Sequence, residues 1–504
     1  MPQNFIPCDR DQQMLMPPDM RLWLPPDHLC WFVIDSLAQL ELSDFYGRHR
    51  DDGWGRAAFD PRMMVTLLLY AYAVGVRSAR EIERRCVEDV AFRVIAANER
   101  PDHATICRFR GRHREALSEL LVGVLGLCGQ AGMIRPGVVA IDGTKMAANA
   151  SSTNNLTREQ LEDYARRVFD EAEEVDAAED ELYGDRRGDE MPENLRDSAE
   201  RIEWIRSKLA EREIEMAARK PDKRRSPRVN TTDPDSATQR TAQGYLQGYN
   251  AQAAVSEDHF IVAADLTADN NDVDQLEPLV AQAQANLDAA PIAHEMTTVV
   301  ADNGYFSEDN MDLELGVELL LAPVSTRRLA DAIARREPLV PVDQAAARRW
   351  RAAYRAAQHR AARRHEIVAA QAAGLITRRE AGQVLQVPPE YLNHLKWKID
   401  TTGRLPKTLL PKGPTVPSGK DVMLERFAQP RALDTYGLRM TTVEPVFGQI
   451  KELRGVRRFL HRGIAACSCE WRMVATAHNL RRMWAMTRAL RSLAFRSTEP
   501  ALAA

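Results

Sequence analysis

The chain has 504 residues, of which 44% are hydrophobic and 28% charged, and its formal net charge is −4 at pH 7. This length suggests two to four structural units, and the composition is that of an ordinary globular protein. The longest mostly apolar stretch, Met63 to Val76, is too short to span a bilayer, and no signal-peptide pattern is present at the N-terminus. We therefore expect no membrane association and a cytoplasmic location. Seven cysteines at irregular spacing give no disulfide framework.

The charges are segregated along the chain. Residues 161–200 contain 16 acidic and 5 basic residues, whereas residues 451–482 contain 8 basic and 2 acidic ones. Seven arginines lie between residues 343 and 366. Local basic stripes favour phosphate binding more than the total charge does, although each stripe alone is equally well a solvated helix face.

The first part of the chain, residues 1–130, is predicted to be a helical domain for DNA binding or dimerisation. Asp60-Pro61 is a typical helix start, and two short amphipathic helices follow at residues 78–86 and 88–98. The next helix is rich in arginine, and together the three short helices resemble a helix-turn-helix unit. We predict DNA contact by Arg108, Arg110, Arg112 and Arg114. An ordinary helical bundle with a solvated basic face is the alternative.

The middle of the chain alternates between strand and helix patterns. Strands are predicted at residues 138–142, 248–255 and 260–267, the last two joined as a hairpin, and an amphipathic helix at 273–287. A fourth strand ends at Asp302, a short helix with Ser307 as its cap follows, and a fifth strand contains VELLLAPV. This order, closed by a late helix, is that of the ribonuclease-H-like fold. We therefore predict an α/β class with a mixed five-stranded sheet flanked by helices, at residues 131–325 and 430–490.

Two insertions interrupt this predicted core. Residues 155–240 form a charged helical insertion that ends in a basic, proline-containing stretch, and residues 326–430 form an arginine-rich insertion with a faint second helix-turn-helix pattern. Residues 491–504 are predicted to be a flexible tail.

Three acidic residues occupy the places at which the predicted fold carries its reactive carboxylates. Asp142 and Asp302 close apolar, β-branched strands, and Glu444 lies where a helical pattern begins. A single aspartate at a strand end is usually a turn or cap residue, but three acids in this element order predict one site. Such a site suits two Mg²⁺ ions, for which Mn²⁺ can substitute, and supports in-line attack on a phosphodiester.

Basic and aromatic residues accompany Glu444. Lys451 follows it by seven positions, two helical turns, while Arg439 can clamp a phosphate and Tyr436 can hydrogen-bond or stack. Surface ion pairs are the alternative for the two cations. Weaker candidates are Lys145, which as a strand residue points away from Asp142, and also His103, Asn149, Trp471 and Trp484.

At these residues the sequence resembles the bacterial insertion-sequence transposases of the DDE type, within them the long-chain group with a Tyr-Arg-Glu-Lys signature and a helical N-terminal domain. The resemblance extends over LLLYAYAVGVRSAREIERRC, PDHATICRFR, IDGTKMAANAS, GYNAQAAV, ADNGYFSEDN and VEPVFGQIK. It departs from the family pattern at one place, since four residues instead of three separate Arg439 from Glu444. The roles that the family pattern gives to its glutamate and lysine therefore transfer to Glu444 and Lys451 more directly than the other two roles transfer to Tyr436 and Arg439.

The resemblance implies an enzyme that cuts DNA at the ends of a mobile element with divalent metal ions and transfers the 3′-hydroxyl into target DNA. It implies terminal inverted repeats and target DNA as partners, and a homodimer within a protein–DNA complex. Two alternatives remain: a domesticated or inactive copy that binds DNA without cutting it, and a metal-dependent nuclease without strand transfer.

Overall fold

The computed structural model describes residues 19–47, 58–167, 193–218, 227–292, 294–311, 313–336, 349, 377–385 and 418–498. These residues belong to two compact units. The first comprises Met1–Tyr305, Glu314–Leu321 and Leu433–Ala504, and the second comprises Phe306–Leu313 and Ala322–Ala432.

The described residues in the N-terminal part of the first unit form seven α-helices. They are α1 (Leu29–Ala38), α2 (Ser43–Tyr46), α3 (Pro61–Ala73), α4 (Ala79–Glu88), α5 (Val90–Ile95), α6 (His103–Arg112) and α7 (Arg114–Gln130). Asp60 caps α3 by accepting a hydrogen bond from the Met63 amide, and Pro61 occupies the first helical position, as the sequence predicted. Asp102 caps α6 in the same way through the Thr105 amide. The helix start predicted at Asp60-Pro61 is therefore confirmed.

These helices pack against the C-terminal end of the chain. Helix α15 (Ile464–Thr498), the last of the protein, contacts both α3 and α7, and α3 is buried along almost its whole length. A buried ion pair joins Arg77, between α3 and α4, to Glu470 of α15. The predicted domain boundary near residue 130 consequently falls inside one compact unit.

The first unit also contains a six-stranded mixed sheet. Its strands are β1 (Val138–Ala147), β4 (Ala237–Thr241), β5 (Gly244–Ser256), β6 (Ile261–Thr267), β7 (Thr298–Ala301) and β8 (Glu318–Leu321). The strand order is β4-β5-β1-β7-β8, with β6 also paired to β5. Strands β4, β5, β6 and β1 pair antiparallel, whereas β1, β7 and β8 pair parallel. Helix α9 (Leu276–Ala289) contacts β5 and β6, and α15 contacts β6.

The five predicted strands are all present, and the hairpin of β5 and β6 is confirmed. The predicted count was one too low, because β4 has the polar sequence ATQRT and lacks the apolar run by which the other strands were recognised. The first strand is also longer than predicted. It continues past Asp142 to Ala147, since β5 pairs with it along that whole length.

The charged insertion forms an arm within the first unit. A helical segment at residues 158–167 and helix α8 (Glu193–Ala218) pack on each other through a small apolar core. This core contains Leu161, Ile205, Leu209 and Val229. A two-stranded sheet of β2 (Asn155–Leu156) and β3 (Val229–Asn230) closes the base of the arm. The acidic stretch and the basic end of this insertion lie largely outside the described residues.

The second unit contains four described helices: α10 (Glu308–Met311), α11 (Thr326–Ala334), α12 (Arg378–Leu385) and α13 (Gly419–Phe427). The Ser307 hydroxyl accepts a hydrogen bond from the Asn310 amide and so caps α10 as predicted. The carboxylate of Glu308 accepts from the Gly419 amide at the start of α13. Six of the seven arginines of the arginine-rich stretch, and most of its possible helix-turn-helix, lie outside the described residues.

Helix α14 (Ala432–Gly448) carries Glu444, and a π-helical stretch, Gln449–Leu453, follows it directly. Glu444 is thus near the end of a helix, whereas the sequence placed it at a helix start. None of the helices within the described residues is both long and apolar enough to cross a membrane.

Candidate active site

Strand pairing brings the first two predicted carboxylates to the same edge of the sheet. β1 and β7 run parallel, and Ile141 pairs with Ala301. The residues that follow this pair are Asp142, within β1, and Asp302, directly after β7. The Asp142 side chain is 20% exposed. Its Oδ1 accepts a hydrogen bond from the Gly143 amide, and Asp302 Oδ1 accepts one from the Gly304 amide. Both carboxylates are therefore held by the backbone that follows them.

Arg439 connects the third carboxylate to this edge. From α14, Arg439 Nη1 lies 2.9 Å from Asp142 Oδ2, and Nη2 lies 3.6 Å from Glu444 Oε1. The arginine is buried, and its Nε has no hydrogen-bond partner among the described residues. Glu444 itself is half exposed. One guanidinium therefore joins two acids that are 302 positions apart in the sequence.

The electrostatics of the site follow from burial and like charge. Burial raises the pKa of Asp142 to about 7; the Arg439 cation opposes this rise, while the neighbouring Asp302 carboxylate adds to it. The pKa of Tyr305 is raised well above its ordinary value by burial and by the carboxylates around it. An ordinary aspartate titrates near pH 4. Asp142 is thus a carboxyl group whose ionised form needs more positive charge than Arg439 provides.

A fourth acid, which the sequence analysis did not select, lies in the same place. Asp272 follows β6, just before α9, and its charge also raises the pKa of Asp142. Its Oδ1 accepts hydrogen bonds from Asn250 Nδ2 at 2.6 Å and Gln252 Nε2 at 2.8 Å. The Tyr305 hydroxyl donates to the amide oxygen of Gln252, which fixes the orientation of that amide. The sequence signal, an acid in the turn TADNNDVDQ, is that of any loop.

Lys145 lies on β1, three residues after Asp142. Its Nζ donates to the carbonyl of Asn270 and lies 3.7 Å from Asp272 Oδ1. Lys451 reaches the same strand, because its Nζ donates to the carbonyl of Lys145 at 2.9 Å. A π-helical stretch, Gln449–Leu453, begins between Glu444 and Lys451, and their two-turn alignment stays a prediction.

Tyr436 is only 4% exposed, so stacking on DNA from this conformation is excluded. The prediction that it contacts DNA directly is therefore wrong for this structure. It lies one helical turn before Arg439 on α14.

The four arginines of the N-terminal region do not share one environment. Arg108, Arg112 and Arg114 are exposed, whereas Arg110 is 7% exposed and donates a hydrogen bond to the Arg77 carbonyl. The prediction that Arg110 contacts DNA is wrong, because residues two apart on a helix face nearly opposite sides. The other three remain candidates.

The weaker candidates have structural partners. His103 pairs with Glu83, and the Asn149 amide donates to the Leu460 carbonyl. Trp471 is fully buried and donates to the Gln252 carbonyl, and Trp484 donates to the Asp27 carbonyl. In the described part of the chain, no three histidine, cysteine or acidic residues are arranged to hold a metal ion as they stand.

A mixed sheet flanked by helices, with carboxylates at one edge and an arginine among them, belongs to an α/β protein with a candidate site for phosphate chemistry. The comparison with known families specifies this class. Residues 19–112 match the model of a Transposase domain (DUF772), and residues 414–484 match the model of a Transposase DDE domain. These matches support an insertion-sequence DDE transposase, so the family resemblance is confirmed.

The first match covers α1 to α6, and the second covers α13, α14 and the first part of α15. Glu444, Arg439 and Lys451 lie inside the second match, whereas Asp142 and Asp302 lie in neither. The Tyr-Arg-Glu-Lys signature stays a prediction. No curated protein and no solved structure matches the chain significantly.

Proposed function

We propose that this transposase cleaves DNA at element ends and transfers the 3′-hydroxyl to target DNA at a site formed by Asp142, Asp302 and Glu444. The observation that carries the proposal is the contact of one guanidinium, that of Arg439, with both Asp142 and Glu444. The sheet supports it, because the antiparallel strands β1, β5 and β6, followed in the chain by β7 and β8 parallel to β1, have the arrangement expected of a ribonuclease-H-like core.

The residues fit a divalent cation. Carboxylate oxygens are the ligands that Mg²⁺ and Mn²⁺ prefer. Beside Asp302 the absence of a side chain at Gly304 matters, because a Cβ added there would lie only 2.9 Å from Asp302 Oδ1 and would fill the cradle. Asp142, Asp302 and Glu444 would hold the ions. When bound, divalent cations supply a nucleophile at neutral pH and stabilise the departing oxygen of the phosphodiester.

Arg439 occupies the position at which a cation would be needed. Its Nη1 is hydrogen-bonded to Asp142 Oδ2, so the guanidinium competes with a cation for this oxygen. A DNA phosphate is a suitable acceptor for the released arginine, because guanidinium and phosphate pair in bidentate fashion. We infer that substrate binding and completion of the carboxylate site are coupled through this side chain.

Other basic residues would hold the DNA around the reacting phosphodiester. Lys145 and Lys451 are half-buried, and burial lowers the pKa of both amines. The exposed Arg108, Arg112 and Arg114 would contact phosphates farther along the duplex. As the resemblance implies, we expect a homodimer in the protein–DNA complex, with the molar mass of the complex in light scattering as the test.

A plasmid assay tests the proposal. Supercoiled plasmid carrying the cognate terminal repeats is incubated with the full chain and Mg²⁺. Excision with joined products is the expected result. Nicking alone would support a nuclease instead, and a gel shift without cleavage would support a DNA-binding copy.

Matched variants assign the site. Glu444→Ala and Asp142→Ala are expected to abolish cleavage and to retain DNA binding. Asp434→Asn is the control, because Asp434 is exposed on the same helix as Glu444. Cleavage at the wild-type rate by either alanine variant would refute the site assignment.

A further inference from the structure

Asp272 is held in a fixed orientation by the sheet. The two amides that donate to its Oδ1 belong to Asn250 and Gln252, which are 0% and 1% exposed in β5. Lys145 also lies on the Oδ1 side. The side-chain hydrogen bonds of Asp272 within the described residues are both made by this one oxygen. The other oxygen, Oδ2, is left without a hydrogen bond there.

Oδ2 of Asp272 faces the candidate active site. A Cβ added to Gly304 would lie 3.1 Å from Asp272 Oδ2 and 2.9 Å from Asp302 Oδ1. The two oxygens are therefore at most 6.0 Å apart, the sum of these distances. Only the absence of a side chain at Gly304 keeps the space between them open. Two carboxylate oxygens facing each other across such a gap repel unless a cation lies between them.

A second observation, on the Oδ1 side of the Asp272 carboxylate and beside Gly143, points to a missing donor or cation next to this residue. The amide oxygen of Asn250 is fully buried and has no hydrogen-bond partner among the described residues. This oxygen and Asp272 Oδ1 both lie 2.8 Å from the position of a Cβ added to Gly143, the residue after Asp142. Buried acceptors are rarely left unpaired, so the unsatisfied Asn250 oxygen indicates a missing donor or cation nearby.

We propose that Asp272 is a fourth carboxylate of the metal site and that its Oδ2 binds a divalent cation together with Asp302. The proposal rests on the proposed function, because it adds a ligand to the same site. The alternative is a purely structural aspartate that orders the β5 amides and pairs with Lys145. The two differ in the role of Oδ2, since the structural contacts use Oδ1 alone.

The test measures Mn²⁺ binding to the full chain without DNA, by calorimetric titration. Asp272→Asn keeps an oxygen for the amide hydrogen bonds and removes the charge. We expect its Mn²⁺ affinity to fall by at least about tenfold, because even residues behind the ligands of a metal site contribute that much. Asp274→Asn is the matched control, since Asp274 is exposed two residues away. Its affinity should equal that of the wild type.

Gly304→Ala tests the space between Asp272 and Asp302 without changing the charge of either residue. The new methyl group would lie between Asp272 and Asp302, so Mn²⁺ affinity should again fall by at least about tenfold. Gly111→Ala is its control, because nothing lies within 4 Å of a Cβ at Gly111. Circular dichroism and the melting temperature without metal verify that each variant folds.

The outcomes separate this proposal from the one on which it rests. If Asp272→Asn and Gly304→Ala bind Mn²⁺ as the wild type does while Asp142→Asn does not, the fourth ligand is refuted and the three-acid site stands. If Asp142→Asn also binds as the wild type does, the metal site of the proposed function fails as well.

Discussion

Replacing Asp142 by asparagine should stabilise the metal-free protein at alkaline pH while abolishing its activity. Asp142 is largely buried, and burial raises its pKa to about 7, despite the opposing charge of Arg439. In the unfolded chain an aspartate titrates near pH 3.9. The folded state therefore binds a proton more tightly than the unfolded state does. Stability from this group is fully present below about pH 4 and is lost as the pH rises to about 7.

The magnitude follows from the size of the shift. A difference of about 3 pH units corresponds to about 4 kcal/mol at pH 8, at 1.36 kcal/mol per unit. Asparagine does not ionise and avoids this cost. Its amide group, however, faces donors from Arg439 and Gly143, and an unsatisfied donor costs about 1–3 kcal/mol. We expect a net stabilisation of about 1–3 kcal/mol at pH 8 from these opposing effects.

Urea unfolding in EDTA, at pH 8 and at pH 4.5, measures the effect. The stability of Asp142→Asn relative to the wild type should be about 3 kcal/mol more favourable at pH 8 than at pH 4.5. This comparison cancels the altered hydrogen bonds, because they are present at both pH values. Asp434→Asn, an exposed carboxylate on α14, serves as control and should show no such dependence. Equal pH dependence in wild type and Asp142→Asn would refute the reasoning.

Three further predictions concern the rest of the first unit. Burial lowers the pKa of His478 to about 3, so stability should fall by about 1.4 kcal/mol per unit as the pH drops below about 6.5. His478→Gln should flatten this slope in urea titrations between pH 6.5 and 4.5, and an unchanged slope would contradict the assignment. Glu470→Gln leaves the buried Arg77 without its counter-charge and should cost about 3–5 kcal/mol in chemical unfolding, so a loss below about 1 kcal/mol would count against the pair. Arg108→Ala should weaken DNA binding and reduce its salt slope by about 1 at an unchanged melting temperature, as measured by anisotropy. Arg110→Ala should instead lower the melting temperature, and the opposite pattern would reverse the assignment of these two arginines.

The helices and strands were predicted from local sequence patterns. The β-branched runs before Asp142 and Asp302 form buried strands because such side chains pack well on a pleated sheet. The helix start at Asp60-Pro61 depends only on neighbouring residues, so it could also be predicted from the sequence. Strand β4 was missed because its polar residues lack that signal.

The predicted arginine stripe was partly wrong for a reason present in the sequence. Arg108 and Arg112 are four residues apart and share a helix face, whereas Arg110 lies two residues from each and faces the other side. Helical geometry alone would therefore have separated them. The burial of Tyr436 could not be anticipated in that way, because it depends on how α14 packs within the first unit.

The sequence by itself determined the strand and helix order, the family resemblance and three of the acids that we propose as metal ligands. These are short-range patterns, each written within about ten consecutive residues. Tertiary structure alone decided that Arg439 contacts both Asp142 and Glu444, and that Asp272 faces Asp302 across Gly304. These contacts join residues far apart in the chain. The pairing of β1 with β5 and β7 brings Asp142, Asn250 and Asp302 close together, and helix α14 adds Arg439 and Glu444.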